Sequence, residues 1–170
     1  MNKRIFIVNG MARCGKDTFA RYLDDYIPVY KCSSIEYIKY VAAQCGWMGG
    51  KEEKDRKFLS DLKALTTAYN DLAFNDISNK VEHFRHSSYY QVMLIDIREP
   101  EEIERAAKEF GAGTILIRNP NVPQITSNAG DAGVYDYYYD YVIDNNGTLD
   151  EFKDVIWKWA VRAGLFEEES

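Results

Sequence analysis

Two spacings of apolar residues run along this chain, one alternating and one near the helical repeat, and the switches between them mark its elements. Ile5-Phe6-Ile7-Val8 is an apolar run of strand length, and Phe19, Tyr22, Leu23 and Tyr26 after it share one helix face. Pro28-Val29-Tyr30-Lys31-Cys32 is β-prone; Ile35, Ile38, Ala42 and Cys45 then line a second helix that Gly46 ends. Trp47-Met48-Gly49-Gly50 is a flexible turn, and the charge-rich Lys51 to Lys57 leads into a helix carrying Phe58, Leu62 and Leu65. A further helix keeps Ala73, Ile77, Val81 and Phe84 in register, so that about 47–88 forms a helical excursion. Tyr90 to Ile95 reads as a buried strand, and 101–110 as a helix with Ile103, Ala107 and Phe110 inward, ended by Gly111-Ala112-Gly113. Thr114-Ile115-Leu116-Ile117 is another buried strand, which Asn119-Pro120-Asn121-Val122-Pro123 cannot continue. Alternation sets Tyr137, Tyr139 and Tyr141 on one face, where packing around a strand is preferred to stacking on a base. Asp140 to Ile143 closes the sheet, and a last helix carries Phe152, Ile156, Trp159 and Ala163 on one side, with Glu167 to Glu169 trailing as solvated charge. Five strand candidates separated by helices predict right-handed crossovers and an α/β fold on a five-stranded parallel sheet. A length of 170 residues fits one domain, 1–170.

Between the first strand and the first helix lies Gly10-Met11-Ala12-Arg13-Cys14-Gly15-Lys16-Asp17-Thr18. Strand, Gly-rich turn, Lys and helix is a phosphate-binding order. The glycines let backbone N–H groups curl inward, the helix start adds the positive end of its dipole, and Lys16 supplies a point charge for the outer phosphates of a nucleotide. The spacing G-x-x-x-x-G-K is met in full. After the Lys the usual residue is Ser or Thr, whose hydroxyl reaches Mg²⁺, but here Asp17 intervenes and Thr18 comes one place later. Gly10, Ala12, Arg13, Cys14, Gly15, Lys16, Asp17 and Thr18 are the candidate nucleotide-binding residues. The helix start and Lys16 are expected to lower the thiol pKa of Cys14, so that alkylation there inactivates the protein and bound ATP protects it.

The strand ending at Ile95 runs into Asp96-Ile97-Arg98-Glu99-Pro100-Glu101-Glu102. An apolar strand that ends in Asp supplies a carboxylate for Mg²⁺ and its waters, which makes Asp17, Thr18 and Asp96 the candidate metal set. Arg98 leaves the strand at the same edge. Ser33-Ser34 stand at the carboxyl end of the second strand, where ligands bind in open α/β folds; a helix cap and an acceptor contact are both open to them.

Gly-Lys-Asp-Thr at 15–18 and Asp-Ile-Arg-x-Pro-x-Glu at 96–102 together resemble the phage-type deoxynucleoside monophosphate kinases, a branch of the P-loop kinases. Phosphomevalonate kinase and dephospho-CoA kinase are more distant relatives in this resemblance. The segment from Asp140 to Leu149 resembles an ending shared by several nucleotide kinases. The resemblance implies a three-layer P-loop NTPase fold, with the helical excursion on the acceptor side and a short lid over about 118–136. It implies Lys16, Arg13, Asp96, Arg98 and Arg118 as the catalytic set, ATP as phosphoryl donor with Mg²⁺, and Asn145 and Gly147 near the adenine. Ser33, Ser34, Arg56, Arg85 and Arg98 are the acceptor-side candidates, with solvated charge the plain alternative for Arg56 and Arg85. The polar, small-residue composition after Arg118 permits a mobile flap. Arg118 is the only Arg in that span, so either the lid is reduced or Arg13 takes part of its task. Dephospho-CoA and shikimate kinases resemble this fold but place an Asp after the second strand as a general base, where this chain has the two serines. An acceptor that is already a phosphate needs arginines more than a base. The expected reaction is therefore ATP-dependent transfer to a (deoxy)nucleoside monophosphate. Another small phosphorylated metabolite, or a dephospho-CoA-like acceptor, is the alternative within enzymes, and a non-catalytic ATP-binding module is the reading from another class. Glu36 stands where that family carries a Lys.

Composition adds exclusions. With 46% hydrophobic and 28% charged residues the chain is globular rather than disordered or collagen-like. A net charge of −6 without a Lys/Arg block argues against a nucleic-acid partner. The apolar stretch after Met1-Asn2-Lys3-Arg4 is too short for a signal peptide, and no segment is long enough to span a bilayer, so a cytoplasmic monomer or homodimer without a membrane partner is expected. Cys14, Cys32 and Cys45 are odd in number and form no C-x-x-C pair, which points to neither a disulfide framework nor zinc, and Cys32 and Cys45 read as small core residues. His83 and His86, three apart, make a weak metal site, and surface or capping roles are favoured.

Overall fold

The structure of the protein, a computed structural model, describes residues 3–123 and 133–166. The order is β1 (Arg4–Asn9), α1 (Lys16–Asp24), β2 (Val29–Ser33), α2 (Glu36–Gln44), α3 (Glu53–Asn70), α4 (Leu72–His86), β3 (Val92–Asp96), α5 (Pro100–Phe110), β4 (Gly113–Arg118), β5 (Tyr141–Asp144) and α6 (Leu149–Arg162). The strands form the expected five-stranded parallel sheet, in the order β2-β3-β1-β4-β5. Register aligns Val8 with Asp96, Asn9 with Leu116 and Arg118 with Asp144, so these strands finish along one edge. β1 leads into β2 on one side of itself, whereas β4 and β5 are added on the other. Open α/β sheets bind ligands at the carboxyl end of such a switch point.

The chain divides into two compact units, Met1–Lys31 with Ser88–Ser170, and Cys32–Ser87. In the first, Phe6, Ile7, Leu94, Ile95, Ile115 and Ile117 are fully or almost fully buried. Trp159 of α6 meets Phe6 and Phe19 edge-on at 5.1 Å and Tyr141 at 5.9 Å. These rings tie α1 and α6 to the sheet, while α5 packs on β1 and β4. Helix ends follow local chemistry. Thr148 and Glu151 close a capping box on α6, Pro100 opens α5, and Gly111 at φ 65° ends it.

In the second unit, α4 buries Ala73, Phe74, Ile77, Val81 and Phe84, and α2 buries Ile38 and Ala42. Lys80 of α4 bridges Glu36 and Asp76 and thus links α2 to α4. α3 packs on both but buries no residue, and Phe58 and Leu65 of its expected inner face are exposed. Among the described residues, no helix is long and apolar enough to cross a membrane.

Several expectations are corrected. Cys45 is exposed rather than core, because α2 ends at Gln44 and the chain turns away at Gly46, φ 92°. In α5 the inward residue is Ala106, not Ala107; both fall near the stripe set by Ile103, and the sheet selects the one three residues on. Neither serine caps α2: its N-cap is Ile35, without a side-chain hydrogen bond, and Ser33 Oγ instead accepts from the Ile35 N–H at 3.4 Å. Tyr137 and Tyr139 precede β5 in a turn and bend region rather than lying on a strand, yet Tyr139 is buried and its ring packs on Tyr137 at 5.0 Å. Residues 124–132 of the expected lid, and Glu167 to Glu169, lie outside the described residues.

Candidate phosphate-binding site

The glycine loop is built by close approach. A Cβ on Gly10, at φ 151°, would stand 2.4 Å from the Ile117 carbonyl oxygen and 2.6 Å from Cys14 Sγ. A Cβ on Gly15, at φ 111°, would stand 2.5 Å from Asn145 Nδ2. Only glycine fits either place. Arg13 between them is exposed and takes φ 66°, a left-handed conformation that a side chain adopts at a cost and that the tight loop imposes. Gly15 is the N-cap of α1 and no side chain caps it, so the first-turn N–H groups and the positive end of the helix dipole are left for an anion.

Lys16 folds back over this loop. Its Nζ donates to the carbonyls of Gly10 at 2.6 Å and Met11 at 3.0 Å. Cys14 is buried, with 1% exposure, and burial pushes its thiol up against the pull of Lys16. The expected low-pKa, reactive thiol is thus corrected: helix start and Lys16 are present, but loss of water outweighs them. Asn145, after β5, donates from Nδ2 to the Cys14 carbonyl at 3.0 Å and from its N–H to the Arg118 carbonyl at 2.7 Å. The β5 end therefore touches the loop. A Cβ on Gly147 would stand 2.3 Å from Glu151 Oε2, so this glycine leaves room for the α6 capping box.

Beside the loop, Asp17 and Asp96 share one partner that the sequence reading missed. Lys31 of β2 donates to Asp17 Oδ1 and lies 3.3 Å from Asp96 Oδ2. Hydrogen bonding from Lys31 holds the Asp17 carboxyl below the usual range, and burial pushes that of Asp96 up against Lys31 and Lys16. Burial opposes the charge on Lys31, but the two carboxylates overcome it and raise the ammonium above an ordinary lysine. The available signal was a lone Lys inside a short β-prone run, next in the sheet to a strand that ends in Asp.

Asn9 was also missed. It is fully buried at the end of β1; its Oδ1 accepts from the Gly10 N–H at 2.8 Å, and its Nδ2 donates to the Arg98 carbonyl at 3.1 Å and the Tyr139 hydroxyl at 2.8 Å. That hydroxyl donates to the Val134 carbonyl at 2.8 Å. One amide thereby fixes the loop, the segment after β3 and the turn before β5.

The remaining candidates belong to both units. Arg98 is exposed beyond β3. Arg118 is exposed and makes a two-pronged pair with Asp144, at 2.8 and 2.9 Å, which raises its pKa. Ser33, Ser34, Arg56 and Arg85 belong to the second unit. Ser34 is buried, Arg56 Nε donates to the Lys51 carbonyl at 3.2 Å, and Arg85 pairs with Glu82 at 2.9 Å. His83 and His86 are exposed, the Nδ1 of His86 lying 2.8 Å from the Glu82 carbonyl oxygen.

Mg²⁺ in nucleotide sites takes oxygen ligands, one or two of them carboxylates, with phosphate oxygens and water. Asp17, Asp96 and the Thr18 hydroxyl are such a donor set. Asp96 Oδ1 is moreover buried without a hydrogen-bond partner, an orphaned acceptor that suits a hydrated cation. The residues fit the ion. Among the described residues, no group of three or more His, Cys, Asp and Glu is gathered as a metal site.

The chain matches no protein-family profile and no curated protein. Solved structures do match it over nearly their whole length. The tunicamycin resistance protein of Deinococcus radiodurans is 14% identical with a TM-score of 0.58, covering 97% of this chain and 98% of that one. Dephospho-CoA kinase from Campylobacter jejuni is 16% identical with a TM-score of 0.52, over 94% and 97%. Shikimate kinase from Aquifex aeolicus is 16% identical with a TM-score of 0.51, over 95% and 98%. At such identities the likeness shows the fold alone, an α/β fold shared with these structures.

Proposed function

We propose that this protein transfers a phosphoryl group from ATP to a small acceptor that already bears a phosphate, in the first place a (deoxy)nucleoside monophosphate, giving the diphosphate and ADP. The observation that carries this reading is an uncapped helix N-terminus roofed by Lys16, standing beside a half-buried Asp96 whose Oδ1 is buried and orphaned. Transfer of this kind asks little covalent chemistry of a protein; positioning and charge neutralisation suffice. Gly10, Ala12, Arg13, Cys14 and Gly15 give the backbone cradle, and Lys16 exchanges its loop carbonyls for outer phosphate oxygens. Asp17, Thr18 and Asp96 would hold Mg²⁺, which when bound neutralises phosphate charge. Arg13, Arg98 and Arg118 counter charge on donor and acceptor, and Asn145 and Gly147 lie on the adenine side. Acceptor contacts are assigned to Ser33, Ser34, Arg56, Arg85 and Arg98.

The phosphate acceptor is supported by the state of the carboxylates. Lys31 engages both Asp17 and Asp96, so neither is disposed as the general base that a hydroxyl acceptor would use. The test is coupled ADP release with MgATP over a panel of ribo- and deoxynucleoside monophosphates, phosphomevalonate and dephospho-CoA. Stimulation by a monophosphate, lost by a hundredfold or more (~10²) in Lys16→Ala, is expected. Tight ATP binding with no stimulation by any acceptor would leave the non-catalytic module in its place.

A further inference from the structure

Lys31 is the one charged residue of β2, and its position is unusual for a strand side chain. The ammonium sits between a carboxylate from the first turn of α1 and one from the end of β3, donating to Asp17 and lying 3.3 Å from Asp96. The Lys31 side chain is 30% exposed and that of Asp96 22%, whereas that of Asp17 is 96% exposed. Two of the three partners are therefore partly withdrawn from water, where an unmatched charge is costly.

We infer that Lys31 is a resident counter-cation that competes with a divalent ion for Asp17 and Asp96, and so makes metal binding here dependent on nucleotide. The inference rests on the assignment of those two carboxylates to Mg²⁺. It follows from the donor atoms. Lys31 occupies Asp17 Oδ1 and Asp96 Oδ2, and leaves Asp96 Oδ1 without a partner. A divalent ion arriving alone must displace the ammonium or share its carboxylates with it, against a repulsion that low local polarity strengthens. A nucleotide brings negative phosphates that offset this repulsion and offer the lysine another partner. The free protein thus keeps its carboxylates partly compensated without metal, and the ion enters with the nucleotide.

The test needs neither nucleotide nor turnover, so its outcome is independent of whether any acceptor is phosphorylated. Mn²⁺ binding to the nucleotide-free protein is measured by electron paramagnetic resonance, for wild type, Lys31→Met and Lys31→Arg. Lys31→Met is expected to bind Mn²⁺ at least about tenfold more tightly than wild type, because a positive charge has left the site, and Lys31→Arg to bind as weakly as wild type. Thermal melting gives the second readout. In EDTA, Lys31→Met melts below wild type, and Mn²⁺ raises its melting temperature by more than it raises that of wild type. Adding Asp96→Asn to Lys31→Met removes the gain in Mn²⁺ affinity. If Lys31→Met does not fold, Lys31→Gln replaces it in the same measurements. Equal or weaker Mn²⁺ binding on loss of the lysine charge overturns the inference and leaves Lys31 a structural ion-pair partner or a phosphate ligand.

Discussion

Asn9→Ala is the most informative perturbation outside the phosphate loop, because one buried amide holds three segments. The substitution strips the acceptor from the Gly10 N–H and the donor from the Arg98 carbonyl. The Tyr139 hydroxyl keeps its bond to the Val134 carbonyl. Two backbone groups that each lose this bond at about 1–3 kcal/mol give a loss of about 2–6 kcal/mol, a large part of the roughly 5–15 kcal/mol that holds a domain folded. With a urea slope of about 2 kcal/mol per molar, the unfolding midpoint falls by about 1–3 M at unchanged slope. Tyr139→Phe removes two bonds, the one from Asn9 Nδ2 and the one to the Val134 carbonyl, but leaves Asn9 Nδ2 with the Arg98 carbonyl, so a single backbone group is orphaned, at a cost of about 1–3 kcal/mol. ATP binding weakens in Asn9→Ala as well, since Gly10 opens the loop. A loss below about 1 kcal/mol for Asn9→Ala, or a larger loss for Tyr139→Phe than for Asn9→Ala, would refute the reasoning.

Two further outcomes concern titrating groups. Because burial raises the Cys14 thiol, iodoacetamide at neutral pH should modify exposed Cys45 first and reach Cys14 only on unfolding, as mass spectrometry of timed samples would show; Cys14 reacting as fast as Cys45 contradicts the burial. Burial, opposed by the Asn9 hydrogen bond and helped to a smaller extent by the nearby Tyr137 and Asp136, pushes the Tyr139 phenol up to about 12. An acid whose neutral form the fold prefers contributes stability that is whole below its unfolded value of about 10 and is lost as pH rises through the folded value. Urea midpoints should therefore fall between about pH 10 and about 12 more steeply for wild type than for Tyr139→Phe, and parallel curves would count against the shift.

Much of the fold could be read from local rules, and part of the site could not. The glycine loop was legible because its conformation is a backbone requirement: Gly10 and Gly15 stand where a Cβ would collide, and a pattern of glycines records that directly. Buried strands such as Val92–Asp96 were legible from continuous apolar runs, with boundaries shifted by a residue or two. Lys31 and Asn9 were not, since each acts through partners brought near only by sheet order and register: Asp96 is 65 positions from Lys31, and Tyr139 130 positions from Asn9. Periodicity likewise names a stripe and not its centre, hence Ala106 in place of Ala107. In α3 the apolar residues had the right spacing, but burial depends on what the neighbouring helices cover, and they leave Phe58 and Leu65 exposed. The direction of the Cys14 shift turned on burial, which no local pattern reports.

Phosphoryl transfer at the Lys16 loop is tested most directly by following the label. With γ-³²P ATP, Mg²⁺ and the monophosphate that best stimulates ADP release, chromatography should show label in the corresponding diphosphate with the wild-type protein and none above background with Lys16→Met. Label that appears only as inorganic phosphate, or a diphosphate product that persists in Lys16→Met, would contradict transfer at this loop.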